Sequence, residues 1–186
     1  MKKEIRLIGI DDSPFDKFKD KNVIIVGVFY RGGNYPDGVL TSKVKIDGDN
    51  STEKVIEMIN KSKFKPQLQC ILLDGIAFGG FNIIDIEKVN KKTSLPVIVI
   101  IRRMPDIENI KRVLIRLKKK SKIRLLDKAG KVYKIDNVYI QKSGISLEDA
   151  KKIIKISATH SYLPEPIRVA HLIGQGLVMG ESKGKA

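Results

Sequence analysis

The chain is poor in the residues on which several common chemistries depend. Its 186 residues include one cysteine and two histidines. A lone thiol cannot form an internal disulfide, so Cys70 points to a reducing, cytoplasmic compartment, and its apolar surroundings mark it as a small core residue. His160 and His171 are too few for a His-rich metal site, and each reads as a helix-packing or surface residue. There is no paired-cysteine zinc motif, no HExxH, no Gly-x-Ser-x-Gly elbow and no Gly-rich phosphate loop ending in Lys and Ser or Thr. No apolar run approaches the roughly 20 residues that cross a bilayer, and "MKKEIRLIGI" lacks a signal-peptide cleavage pattern, so no membrane partner is expected. Low-complexity stretches and linkers are also missing, which leaves one domain spanning residues 1–186, of open oligomeric state.

Positive charge is in excess. Against 21 Asp and Glu stand 36 Lys and Arg, a formal +15. Such a balance favours a polyanionic partner, nucleic acid first, because bound cationic side chains release condensed counterions. Lysine-rich surfaces also occur in heat-adapted proteins, so the charge needs a site to support it.

Apolar runs at 5–10, 23–30 and 39–46, separated by turn-rich segments, predict three antiparallel strands. "STEKVIEMINKSK" then changes period, with Val55, Ile56 and Ile59 on one helical face and Ser51 or Thr52 available as a cap. "QLQCILLD" reads as a strand buried on both faces, "DIEKVNKKT" as a helix and "LPVIVIIRR" as a further strand. The expected core is therefore a β-β-β-α-β-α-β mixed α/β sheet with helices on its faces. Beyond it, "DIENIKRVLIRLKKK" predicts an amphipathic helix and "KIRLLDKAGKVYKIDNVYIQKSG" two or three short strand-like pieces. A helix capped by Ser146 and another after Pro166 follow, with a frayed tail "ESKGKA".

Ligand sites in such sheets lie beyond the carboxyl ends of the central strands. "LIGIDDSPF" brings Asp11 and Asp12 to that edge and "LLDGIAFGGFN" brings Asp74. Neighbouring side chains on a strand point to opposite faces, so only one of Asp11 and Asp12 is a direct ligand. An Asp after a strand is ordinarily a turn residue, but two that converge suit Mg²⁺ or Mn²⁺ and phosphodiester hydrolysis. A third carboxylate comes from "IDGDNSTEK", which offers Asp47, Asp49 and Glu53. In "GIAFGGFN", Gly75, Gly79 and Gly80 permit close backbone approach to a substrate, Phe78 offers a surface for a base, and Phe81 is assigned to the core.

Together with "SGISLEDAKKIIKISATHSYLPEPIRVAHLIG", these segments resemble the endonuclease V superfamily, and most of all its archaeal endonuclease dU branch, over nearly the whole chain. The resemblance implies an RNase H-like fold and a metal-dependent endonuclease acting on DNA, ahead of RNA, at deaminated bases such as deoxyuridine. A non-catalytic nucleic-acid-binding protein on the same fold is the alternative. It also implies Asp11, Asp74 and a middle acid, Asp49 with Asp47 next, as metal-holding catalytic residues. Endonuclease V has a His before its Ile-Ser pair, where Ser143 and Gly144 stand here. Its Pro-Tyr-Ile-Pro wedge has no counterpart at Tyr35 and Pro36, which belong to a different loop.

Overall fold

A computed structural model of the chain describes residues 4–183. The three leading runs form β1 (Arg6–Asp12), β2 (Asn22–Arg31) and β3 (Tyr35–Lys45), paired as an antiparallel meander. They are followed by α1 (Ser51–Asn60), β4 (Cys70–Asp74), the short hairpin β5 (Ala77–Phe78) and β6 (Asn82–Ile83), α2 (Ile86–Thr93) and β7 (Val97–Ile101). Then come α3 (Ile107–Arg116), α4 (Ile123–Lys128), β8 (Tyr133–Ile135), β9 (Val138–Ser143), α5 (Leu147–Ser157) and α6 (Glu165–Met179). Seven strands form one sheet in the order β3-β2-β1-β4-β7-β9-β8. Strands β1, β4 and β7 are parallel and central, and the other pairs are antiparallel.

Strand alternation assigns the faces. Ile8 and Ile10 of β1 and Ile71 and Leu73 of β4 pack with Val55, Ile59, Ile86 and Val89 of α1 and α2. Leu7, Cys70 and Leu72 pack on the opposite side with Ile153 and Ile154 of α5 and Ile167 of α6. Burying each such side chain is worth about 1.5–3 kcal/mol, so the period-2 pattern strongly opposes a register slip. The same alternation carries Asp11 and Asp74 to the α6 side and Asp12 to the α1 side.

Two local expectations are corrected. Residues 123–128 form a helix rather than a strand-like piece, because Ile123 and Leu126, three apart, pack one helical face with Leu114 and Ile83. Neither Ser51 nor Thr52 caps α1: the cap position is Asn50, and the Ser51 N–H donates 2.9 Å to Asn82 Oδ1 from the neighbouring hairpin. Ser146 does cap α5, accepting from Asp149 N at 3.0 Å. The fraying expected of "ESKGKA" falls partly on 184–186, outside the described residues; within them, Lys183 N donates back to Gln175 Oε1 at 2.9 Å. Among the described residues, no helix is long and apolar enough to cross a membrane.

Candidate active site

The site is assembled by the way α6 lies along β1. Gly9 makes it possible: a Cβ there would collide with the backbone of Pro166 and Ile167, so only glycine lets the helix start directly on the strand. From that contact, five helical residues advance about 7.5 Å and two strand residues about 6.7 Å, which brings His171 level with Asp11. Three residues further, Gly174 packs against Ser13. The helix is seated by its own first turn, where buried Glu165 takes a bidentate pair from Arg168 at 2.7–3.1 Å. Leu-Pro-Glu-Pro-Ile-Arg, the most family-like stretch of the sequence, is thus the device that aims His171.

In the parallel register Ile10 lies opposite Leu73, so Asp11 and Asp74 are the next pair on one face. One ligand atom each from Asp11, Asp74 and His171 lie within 4.8 Å of one another. His171 Nδ1 is 2.8 Å from Asp11 Oδ2, and Gln175 Nε2 is 3.1 Å from His171 Nε2. This pattern fits a neutral ring that donates from Nδ1 to the carboxylate and accepts at Nε2. Arg102, the first residue beyond β7, donates 2.6 Å to Asp74 Oδ2. These four side chains line an open cleft with Asp12, Ser13, Pro14 and Phe15.

Burial governs the electrostatics. Asp11 is 4% exposed, and desolvation pushes its carboxyl up to about 6, against the hydrogen bond from His171 and with help from the nearby Asp74 charge. Desolvation likewise raises Asp74, with Arg102 pulling it back, while the bond to Asp11 raises His171. An acid whose folded pKa lies above its ordinary 3.8 favours folding when protonated, and that contribution is lost as pH rises through about 6. The metal-free parent should therefore lose stability relative to Asp11→Asn between pH 5 and pH 8. Parallel thermal melts test this, and a Tm difference that stays constant across the range would refute it.

The middle acids are not brought to this cluster. Asp49 has an 83% exposed side chain and pairs with Lys122 at 2.9 Å. Asp47 accepts from Phe81 N at 2.8 Å and lies 3.4 Å from Lys17, and these contacts hold its carboxyl below the usual range despite some burial. Both stand on the 45–50 turn, tied down by the buried Lys122 ammonium, which donates to the carbonyls of Asp47 and Phe81 at 3.1 and 2.7 Å. Glu53 faces outward in an ion pair with Lys88. The third potential ligand is instead His171, contrary to its reading as a packing or surface residue. Its signal was present: Ile167, Ala170 and Gly174 form the buried stripe of α6, and His171 extends that stripe.

Asp12 turns away, as alternation requires, and accepts 2.6 Å from Gly79 N, fastening the β5–β6 hairpin to β1. Gly75, Gly79 and Gly80 all have positive φ (83°, 57° and 82°), the conformation that permits this tight loop. The burial of the two aromatics is the reverse of the expected one. Phe78 is fully buried in the α1–α2 core and presents no surface to a base. Phe81 is half-buried and lines an apolar cavity of about 280 Å³ with Gly75, Gly80, Ile83, Ile110 and Leu126. The cavity shares no lining residue with the carboxylate cleft but is linked to it along the chain, since Gly75 follows Asp74 and another lining residue, Ile101, precedes Arg102.

Comparison with known proteins fits this geometry. The chain is 46% identical over 191 residues to a Methanothermobacter thermautotrophicus protein named "UPF0215 protein", covering 100% of this chain and 94% of the relative. A crystal structure of a protein of unknown function from Archaeoglobus fulgidus superposes with a TM-score of 0.87 at 37% identity, over 94% of this chain and 98% of that one. Endonuclease V from Bacillus subtilis gives a TM-score of 0.60 at 13% identity, over 89% of this chain and 77% of that one. Ciona intestinalis endonuclease V, in complex with inosine-containing DNA, gives 0.56 at 20% identity over 89% and 82%. These last two likenesses establish the RNase H-like fold. The endonuclease dU family model matches residues 3–178, and the chain belongs to that family of nucleases.

Proposed function

We propose that the chain is a divalent-metal-dependent endonuclease that cleaves DNA beside deaminated bases such as deoxyuridine, with Asp11, Asp74 and His171 holding Mg²⁺ or Mn²⁺. The observation that carries this reading is the convergence of those three ligand groups at the carboxyl ends of two adjacent central strands. The donor set fits a divalent cation. Asp11 is buried with its carboxyl raised by desolvation and, to a lesser degree, by the Asp74 charge, a cost that a cation would offset, and the imidazole favours Mn²⁺ more than an all-oxygen set would. When bound, such an ion supplies Lewis-acid stabilisation of the charge that builds on the phosphodiester oxygens.

The remaining work falls to the protein's own groups. Asp11 and Gln175 orient the His171 ring through its two nitrogens, and one of these hydrogen bonds would have to open for the ring to hold a cation. Arg102 presents a guanidinium at the cleft, where it can receive a phosphate oxygen once Asp74 turns to the cation. The apolar cavity beside Asp74 suits a base turned out of the stack, with Phe81 as one wall. Around it, Arg112, Arg116, Lys118, Lys120 and Arg124 of the α3–α4 segment are exposed and available to phosphates.

A second reading has one observation in its favour. Arg102 already pairs with Asp74, and the His171 ring hydrogen-bonds Asp11, so both carboxylates have partners without an ion, as in a binding module that has lost turnover. Titrating Mn²⁺ into a panel of uracil-, hypoxanthine- and undamaged DNA, duplex and single-stranded, separates the two. Metal-stimulated cleavage confined to the lesion substrates is expected, with binding that weakens steeply as salt rises. Binding that persists in chelator, with no cleavage at any metal concentration, would establish the binding module.

A further inference from the structure

The most exposed large apolar side chain reported for the described residues is Phe18, at 96%. It sits at the tip of the β1–β2 turn, in "DKFKDK", with Lys17, Lys19 and Lys21 around it. Its exposure is imposed by the backbone. Asp16 Oδ1 accepts from Phe18 N at 2.9 Å, Asp20 Oδ2 accepts from Asp16 N at 2.8 Å, and Asp20 N donates to Asp16 O at 2.9 Å. The base of the turn is tied to the sheet by Ser13 N to Ile24 O at 2.8 Å and by Ile46 N to Lys21 O at 3.1 Å. An aromatic ring held in water by its own turn recovers its hydration cost only against a partner.

The turn's position identifies that partner. Ser13, Pro14 and Phe15 line the carboxylate cleft, and Phe18 is three residues on, so its Cα lies within roughly 11 Å of that of Phe15. On the other side, Lys17 Nζ is 5.7 Å from the centre of the Phe81 ring and 3.4 Å from Asp47. Phe18 is thus three residues from the cleft lining and next to a lysine that touches the cavity wall, with Lys17, Lys19 and Lys21 around it suited to phosphates. We infer that Phe18 is an intercalating wedge: it stacks into the nucleic-acid helix beside the target nucleotide and fills the gap left when that base enters the cavity. This rests on the nucleic-acid reading above and adds to it the residue that opens the duplex.

The test is Phe18→Ala, with Phe18→Trp beside it, in the full chain. At 96% exposure the side chain carries no core packing, so both variants should melt with the parent. Opening is read in chelator from 2-aminopurine placed next to uracil in a duplex, and cleavage with Mn²⁺ on the duplex and on the same sequence as a single strand. The parent should brighten the probe. Phe18→Ala should lose that signal and about tenfold or more of duplex cleavage while keeping single-strand cleavage, and Phe18→Trp should retain both. If Phe18→Ala opens and cleaves duplex as the parent does, the wedge is overturned and the nuclease reading stands. Equal losses on duplex and single strand would overturn it in favour of a general contact. A parent that neither opens nor cleaves any substrate removes the wedge together with the nucleic-acid reading.

Discussion

Asp11→Asn should abolish metal-dependent cleavage, by roughly a thousandfold or more, and leave a folded protein. The side chain is almost fully buried between β1 and α6, and one of its oxygens already receives His171. The amide keeps the shape and removes the charge, so the cluster loses its best anionic ligand. Losing several kcal/mol of charge stabilisation at about 1.4 kcal/mol per tenfold gives that magnitude. The same change removes the burial cost of a carboxylate, so the metal-free variant should melt no lower than the parent at pH 8. Asp12→Asn should act differently: it weakens the 2.6 Å bond from Gly79 N, costs on the order of 1 kcal/mol of stability and spares most turnover. Cleavage rates and melts of the two variants settle the order. Were Asp11→Asn to unfold the chain while its folded fraction still cleaved, Asp11 would be a structural residue.

Phe78→Ala is the second large effect, and it falls on stability. The ring is fully buried among Ile10, Val23, Ile71 and Leu73, and truncating such a phenylalanine costs about 3–5 kcal/mol. For a chain of this length that lowers Tm by about 10 °C or more. Phe81→Ala removes only part of a cavity wall, so it should melt within a few degrees of the parent while weakening cleavage of lesion-bearing substrates. Two residues of one eight-residue loop would then separate folding from substrate handling. A Phe78→Ala protein of parental Tm and reduced cleavage would reverse the assignment and return Phe78 to the substrate surface.

The exchange between these phenylalanines shows where sequence patterning ends. Both lie in "GIAFGGFN", and both have glycine beside them. Which one is buried depends on the direction in which a short hairpin folds back. That direction is imposed by Asp12 pulling Gly79 to β1 and by Asp47 holding Phe81 N, contacts spanning 67 and 34 residues of chain. The 123–128 helix is a milder case, since its apolar spacing was visible and only its company with strand-like neighbours obscured it.

The sequence by itself determined the order of the core elements, the convergence of Asp11 and Asp74 and the divergence of Asp12. All three follow from periodicity: a strand alternates every residue, and two parallel strands whose core residues pair must also pair their next ones. The family was equally legible, because Leu-Pro-Glu-Pro-Ile-Arg and its neighbours are a local, linear pattern. Only the tertiary structure decided which further groups stand beside those carboxylates. Asp49 lies on a turn whose direction is set by a buried lysine 73 positions away in the chain, and it points to solvent. His171 reaches Asp11 across 160 residues because Gly9 lets α6 lie on β1. No spacing rule along a chain encodes how closely two distant backbones approach, and it is that approach, set by side-chain volume at one glycine, that brings the third group to the carboxylates.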